Sequence, residues 1–111
     1  MMGKYERAKS EFETACRLET GQPIYFQNLA KLYQTLGRYQ DSIAVYQRCL
    51  VLSPGNFEVM NDLGISLAMA GRREEAVKIW RKILEKNPNF LPAVQNLRMA
   101  EKSIKGRGER R

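Results

Sequence analysis

The sequence predicts an all-α fold, and three observations carry that expectation. Residue types recur every 34 positions in six separate series. Within each period, apolar side chains return at three- and four-residue spacing, the rhythm of one helix face. No segment alternates apolar and polar residues in the manner of a strand.

The series are Gly3, Gly37 and Gly71; Phe12, Tyr46 and Trp80; Tyr5 and Tyr39; Pro54 and Pro88; Leu29, Leu63 and Leu97; and Ala8, Ser42 and Ala76. A repeat of this length is one helix pair that cannot bury its apolar face alone, so stacked neighbours are expected.

Six helices follow in order, over 4–19, 23–36, 39–53, 57–70, 73–87 and 91–105. The first carries Tyr5, Ala8, Phe12 and Ala15 on one stripe and ends at Gly21-Gln22-Pro23, with Pro23 suited to the opening turn of the next. The second is set by Leu29, Leu32, Tyr33 and Leu36, and Gly37 ends it where the chain needs a positive φ. Ile43, Tyr46 and Leu50 define the third, which Ser53-Pro54-Gly55-Asn56 breaks. The fourth holds Leu63 and Leu67 and stops at Gly71; the fifth holds Ala76, Trp80, Ile83 and Leu84 and stops at Asn87-Pro88-Asn89. Both loops between pairs offer an asparagine to cap the next helix. The sixth keeps Leu97 but places Arg98 and Glu101 where earlier helices have small or apolar residues, the polar face a stack needs at its end.

The 111 residues are 43% hydrophobic, enough for a packed core. No apolar run is long enough to span a bilayer, and the first residues have no signal-peptide character. The formal charge is +7, yet the last 14 residues hold six basic against two acidic groups, so most of the basicity belongs to the end of the chain. Arg72, Arg73, Lys78, Arg81, Lys82 and Lys86 alternate with Glu74, Glu75 and Glu85, which reads as a mixed solvated face rather than a nucleic-acid surface. Cys16 and Cys49 are expected to be buried thiols in a reducing, cytoplasmic setting, subject to any targeting segment outside the chain. With no histidine, no phosphate-binding glycine loop and no CxxC pair, neither enzyme, cofactor nor metal chemistry is indicated.

Residues 23–56 and 57–90 resemble two complete tetratricopeptide repeats. The resemblance rests on Phe26, Leu29, Tyr33, Gly37, Tyr39, Tyr46 and Pro54 in the first, and on Leu63, Gly64, Leu67, Gly71, Ala76, Trp80 and Pro88 in the second. Residues 3–22 resemble the second half of a preceding repeat, and 91–105 a capping helix. Ser42 and Cys49 replace alanines, Arg73 an aromatic residue and Thr20 a proline; serine and cysteine are small enough to keep the helices close. The resemblance implies a right-handed superhelical stack of antiparallel helix pairs, an α-solenoid, as one domain over 1–105 with a flexible basic tail at 106–111.

It also implies a function. In such repeats the first helix of each pair lines a groove that grips a peptide, which makes the chain a protein-binding adaptor or scaffold. By resemblance the groove presents Gln27, Asn28, Lys31 and Gln34, then Asn61, Asp62, Ile65 and Met69, then Gln95, Asn96 and Met99. Asn28, Asp62 and Asn96 stand 34 apart and would form a ladder for a peptide main chain; the same polar residues also suit a plain solvated face. A clamp for the C-terminal carboxylate of chaperones is not expected, since Lys31 is the sole cation among Gln27, Lys31, Asp62, Pro92 and Asn96, and Asp62 would repel a carboxylate. The alternative is a structural module that oligomerises through the stripe Tyr5, Ala8, Phe12 and Ala15, whose usual partner helix is not in the sequence.

Overall fold

A computed structural model of the chain describes residues 23–109, with side chains from 24 to 103, together with the helical, exposed Glu6, Arg7 and Ser10. Tyr5, Ala8, Phe12 and Ala15, on which the self-association expectation rests, lie outside the described residues, as does Cys16. Beyond Glu6, Arg7 and Ser10, the described residues form five helices and no strand: α1 (Pro23–Thr35), α2 (Tyr39–Leu52), α3 (Phe57–Met69), α4 (Arg73–Lys86) and α5 (Leu91–Glu109). They belong to two compact units, residues 1–56 and 57–111, divided where the sequence divides its repeats.

In the first unit α1 packs on α2. Phe26, Leu29, Ala30 and Tyr33 line one side of the contact, and Ile43, Tyr46 and Cys49 the other. Ser42 takes its alanine-like place in full burial because its hydroxyl donates to the Tyr39 carbonyl at 2.8 Å, so no polar group is stranded. The Arg48 guanidinium lies 5.2 Å from the centre of the Phe26 ring, close enough for a cation–π contact.

The second unit holds three helices, α3, α4 and α5. Val59, Met60, Leu63 and Leu67 of α3 meet Ala76, Val77, Trp80 and Ile83 of α4, and Ala93 and Ala100 bring α5 close. Each large apolar side chain buried here contributes about 1.5–3 kcal/mol relative to exposure. Phe57 and Phe90 approach with ring centroids 6.2 Å apart and tilted planes. Arg81 of α4 forms an ion pair with Glu101 of α5.

The two turns inside the pairs are alike. Gly37 has φ 77° and Gly71 φ 87°. Arg38 N–H donates to the Tyr33 carbonyl at 2.8 Å and Gly37 N–H to that of Gln34 at 3.1 Å; Arg72 and Gly71 repeat this toward Leu67 and Ala68 at 2.8 and 3.0 Å. This pattern satisfies the carbonyls that a helix end leaves open.

Two expectations change. An asparagine does not cap α5, because Phe90 stands at that position and its carbonyl accepts the first helical bond, from Val94 N–H at 3.2 Å. The last helix, expected to end at 105, continues to Glu109. Once a helix is nucleated each further residue adds a hydrogen bond, and the roughly 1 kcal/mol penalty of each of Gly106 and Gly108 does not stop it.

Candidate functional site

The expected binding residues divide between the two units. In α1, Asn28 and Lys31 are exposed and Gln27 and Gln34 half-buried, all off the stripe that packs on α2. The second unit brings the remaining residues together on α3 and α5. Asn61, Ile65 and Met69 follow one another at one-turn intervals on α3, with Asp62 next to Asn61 and one turn before Ile65. On α5, Gln95 is exposed, Asn96 half-buried, and Met99 lies one turn further on.

The centre of this face is an amide pair. Asn96 Nδ2 donates to Asn61 Oδ1 at 3.0 Å, tying α5 to α3. Asn61, a candidate contact from the sequence, is only 7% exposed and also has a structural part through this bond. Asn96, expected as a ladder rung with Asn28 and Asp62, is instead bonded to the residue before Asp62. The sequence masked this pair because its spacing is 35 rather than 34.

Packing below the pair explains its position. Gly64 stands one turn beyond Asn61, and the Trp80 indole occupies the room a side chain there would need: a β-carbon would lie 2.5 Å from Nε1. The indole Nε1 then reaches the Asn61 main-chain oxygen at 3.4 Å, a long hydrogen bond. Missing side chain, buried indole and Asn61 backbone thus form one stack beneath the surface.

Around the pair the surface is mixed. Met69 and Met99 are 58% and 71% exposed, while Asp62 and Ile65 are half-buried. Exposed apolar groups beside amides are suited to contact with another molecule. Away from this face, Leu84, Val94, Leu97, Arg98, Glu101 and Lys102 line an open groove of about 440 Å³ between α4 and α5. Among the described residues no three His, Cys, Asp or Glu side chains converge as a metal site, and no helix is long and apolar enough to cross a membrane.

The tetratricopeptide repeat family model matches residues 35–100. The peroxisomal targeting signal receptor of Saccharomyces cerevisiae is 29% identical over 96 residues, 86% of this chain and 16% of the receptor. Protein arginine N-methyltransferase 9 of Mus musculus is 33% identical over 78 residues, 70% of this chain and 9% of that protein. The chain thus spans less than a fifth of the length of either relative. Among solved structures, the first TPR of Spaghetti (RPAP3) bound to the HSP90 peptide SRMEEVD superposes with a TM-score of 0.82 at 21% identity, covering 94% of this chain and 82% of that one. The Sgt2 TPR domain from Aspergillus fumigatus gives 0.82 at 18% identity, over 97% of this chain and 73% of that one.

Proposed function

Since the chain belongs to the tetratricopeptide repeat family, we propose that it is a protein-interaction module, an adaptor or scaffold that binds a segment of another polypeptide on the α3–α5 face. The observation that carries this reading is the amide pair Asn61–Asn96 on the two helices that also carry the exposed Met69 and Met99. Polar groups fix the orientation of a bound chain, and adjoining apolar surface supplies the favourable burial. The RPAP3 domain with its bound HSP90 peptide supports the general mode. The chemistry of this face differs from that needed by an acidic peptide, since Asp62 stands beside the pair. No catalytic role is proposed. A cytoplasmic location completes the reading, in keeping with the buried Cys49 thiol, and fractionation of cells expressing a tagged chain checks it.

Selection of a phage-displayed library of random short peptides on the chain tests the proposal. A photo-crosslinking side chain introduced at Ile65 is expected to label the selected peptide, and excess unlabelled peptide to suppress the label. Crosslinking that ignores the competitor, or a library that yields no binder, sinks the reading.

A further inference from the structure

We propose that the groove between α4 and α5 is a seat for an acidic amphipathic helix of a partner protein, a second surface separate from the α3–α5 face. The groove has a volume of about 440 Å³ and is lined by Leu84 of α4 and by Val94, Leu97, Arg98, Glu101 and Lys102 of α5. The 34-residue register says what shape fits it. Val94, Leu97 and Glu101 stand in α5 where Met60, Leu63 and Leu67 stand in α3. Those three α3 residues are 9%, 3% and 3% exposed, buried where α4 packs across α3. Val94 and Leu97 are only half-buried, and the described residues place no helix across that side of α5. A helix lying along α5 as α4 lies along α3 covers them together with Leu84.

The lining selects against a further repeat of the same kind. Gly64 receives the Trp80 indole, whereas Arg98 holds the corresponding place in α5, so a bulky aromatic residue has no room there. Charge decides what comes instead. Glu101 is already paired with Arg81, while the exposed Arg98 and Lys102 have no ion pair among the described residues. They stand one turn apart on α5. Two carboxylates one turn apart on an incoming helix meet both, beside an apolar stripe that covers Leu84, Val94 and Leu97. The long stems of Arg98 and Lys102 extend the apolar lining while their charged ends stay in water. A second copy of the chain is the wrong occupant, since two molecules of net charge +7 repel. An extended acidic peptide is wrong too, because it lacks the stripe and gains only a screened attraction.

The test is selection on the full chain from a displayed library of single helices about 18 residues long, about five turns. Leucine is fixed along one stripe, and the flanking positions vary among Glu, Gln and Lys. Selected helices are expected to carry Glu at two flanking positions one turn apart. They should shift the methyl signals of Leu84, Val94 and Leu97 in nuclear magnetic resonance spectra and leave those of Ile65 and Met69 in place. Arg98→Glu combined with Lys102→Glu is expected to weaken binding about tenfold. Both residues are exposed, so the double variant should fold, and circular dichroism checks it. Replacing the two peptide Glu by Gln makes the same comparison on the wild-type chain. A library without a binder, binders enriched in Lys, or affinity unchanged by both sets of substitutions overturns the proposal. Binders that move Ile65 and Met69 instead of the groove methyls also overturn it and leave the α3–α5 reading standing. Groove signals that shift with protein concentration alone overturn it in favour of a second copy.

Discussion

A β-carbon at Gly64 would lie 2.5 Å from Nε1 and 2.7 Å from Cε2 of Trp80, well inside contact distance. The indole is buried on all sides and cannot swing away, so the helix or the ring must shift. Gly64→Ala gains about 1 kcal/mol of helix propensity, yet the overpacking, typically 1–3 kcal/mol and more for a contact this short, outweighs it. Urea denaturation is expected to show a net loss of about 1–2 kcal/mol, with the amide signals of Asn61 perturbed in nuclear magnetic resonance spectra. A variant more stable than wild type would mean that Trp80 has room it does not show. A different residue-scale effect sits on the surface of α4, where two hydrogen bonds of 2.8 Å from Arg72 hold the Glu75 carboxyl below the usual glutamate range. A depressed folded value means the pair's contribution is complete above the ordinary carboxylate range and is lost as pH falls through the folded value. Both groups are solvated, so the contribution is small. Carbon-detected titration should place the Glu75 midpoint below that of an ordinary glutamate, and Arg72→Gln should return it; a midpoint unmoved by that substitution would assign the shift elsewhere.

At the scale of elements, the turns after α1 and α3 show how far local chemistry reaches. Gly37 and Gly71 were legible because positive φ at a helix end is a backbone requirement that selects glycine, whatever surrounds it. Nothing lies within 4 Å of a β-carbon built at Gly71, so Gly71→Ala carries a conformational cost alone. That cost is about 1–2 kcal/mol, and Gly71→Asn, which tolerates the left-handed region, should cost clearly less. Equal destabilisation by both substitutions in thermal or urea melts would point to a packing role instead. The helix ends themselves were readable to within a residue for α1 to α4, since glycine and proline punctuate them. The end of α5 was not, because nothing but two glycines in a charged stretch marked it, and glycine weakens a helix without forbidding it.

Over the whole chain, the 34-residue recurrence settles the fold because six independent series keep the same register. Function is less legible for a physical reason. The register places Asn28, Asp62 and Asn96 at equivalent points, but which side chains meet depends on how α5 crosses α3, and that crossing pairs Asn96 with Asn61. Asp62 is on the same helix as Asn61, and a carboxylate there opposes an acidic partner. The chain's net charge of +7 attracts any acidic peptide loosely, through a field that salt screens over about 8–10 Å. Specific capture of a terminal carboxylate needs converging cations, and the α3–α5 face instead presents a half-buried carboxylate at Asp62 among amides and methionines. An acidic peptide with a free C-terminus and the same peptide capped as an amide are therefore expected to bind alike, no tighter than about 1 mM at physiological salt. Asp62→Asn is expected to strengthen both modestly by removing the repulsion. Micromolar binding of the free acid that the capped form loses would show that a carboxylate is captured despite Asp62, and the cations responsible would then have to be sought away from this face.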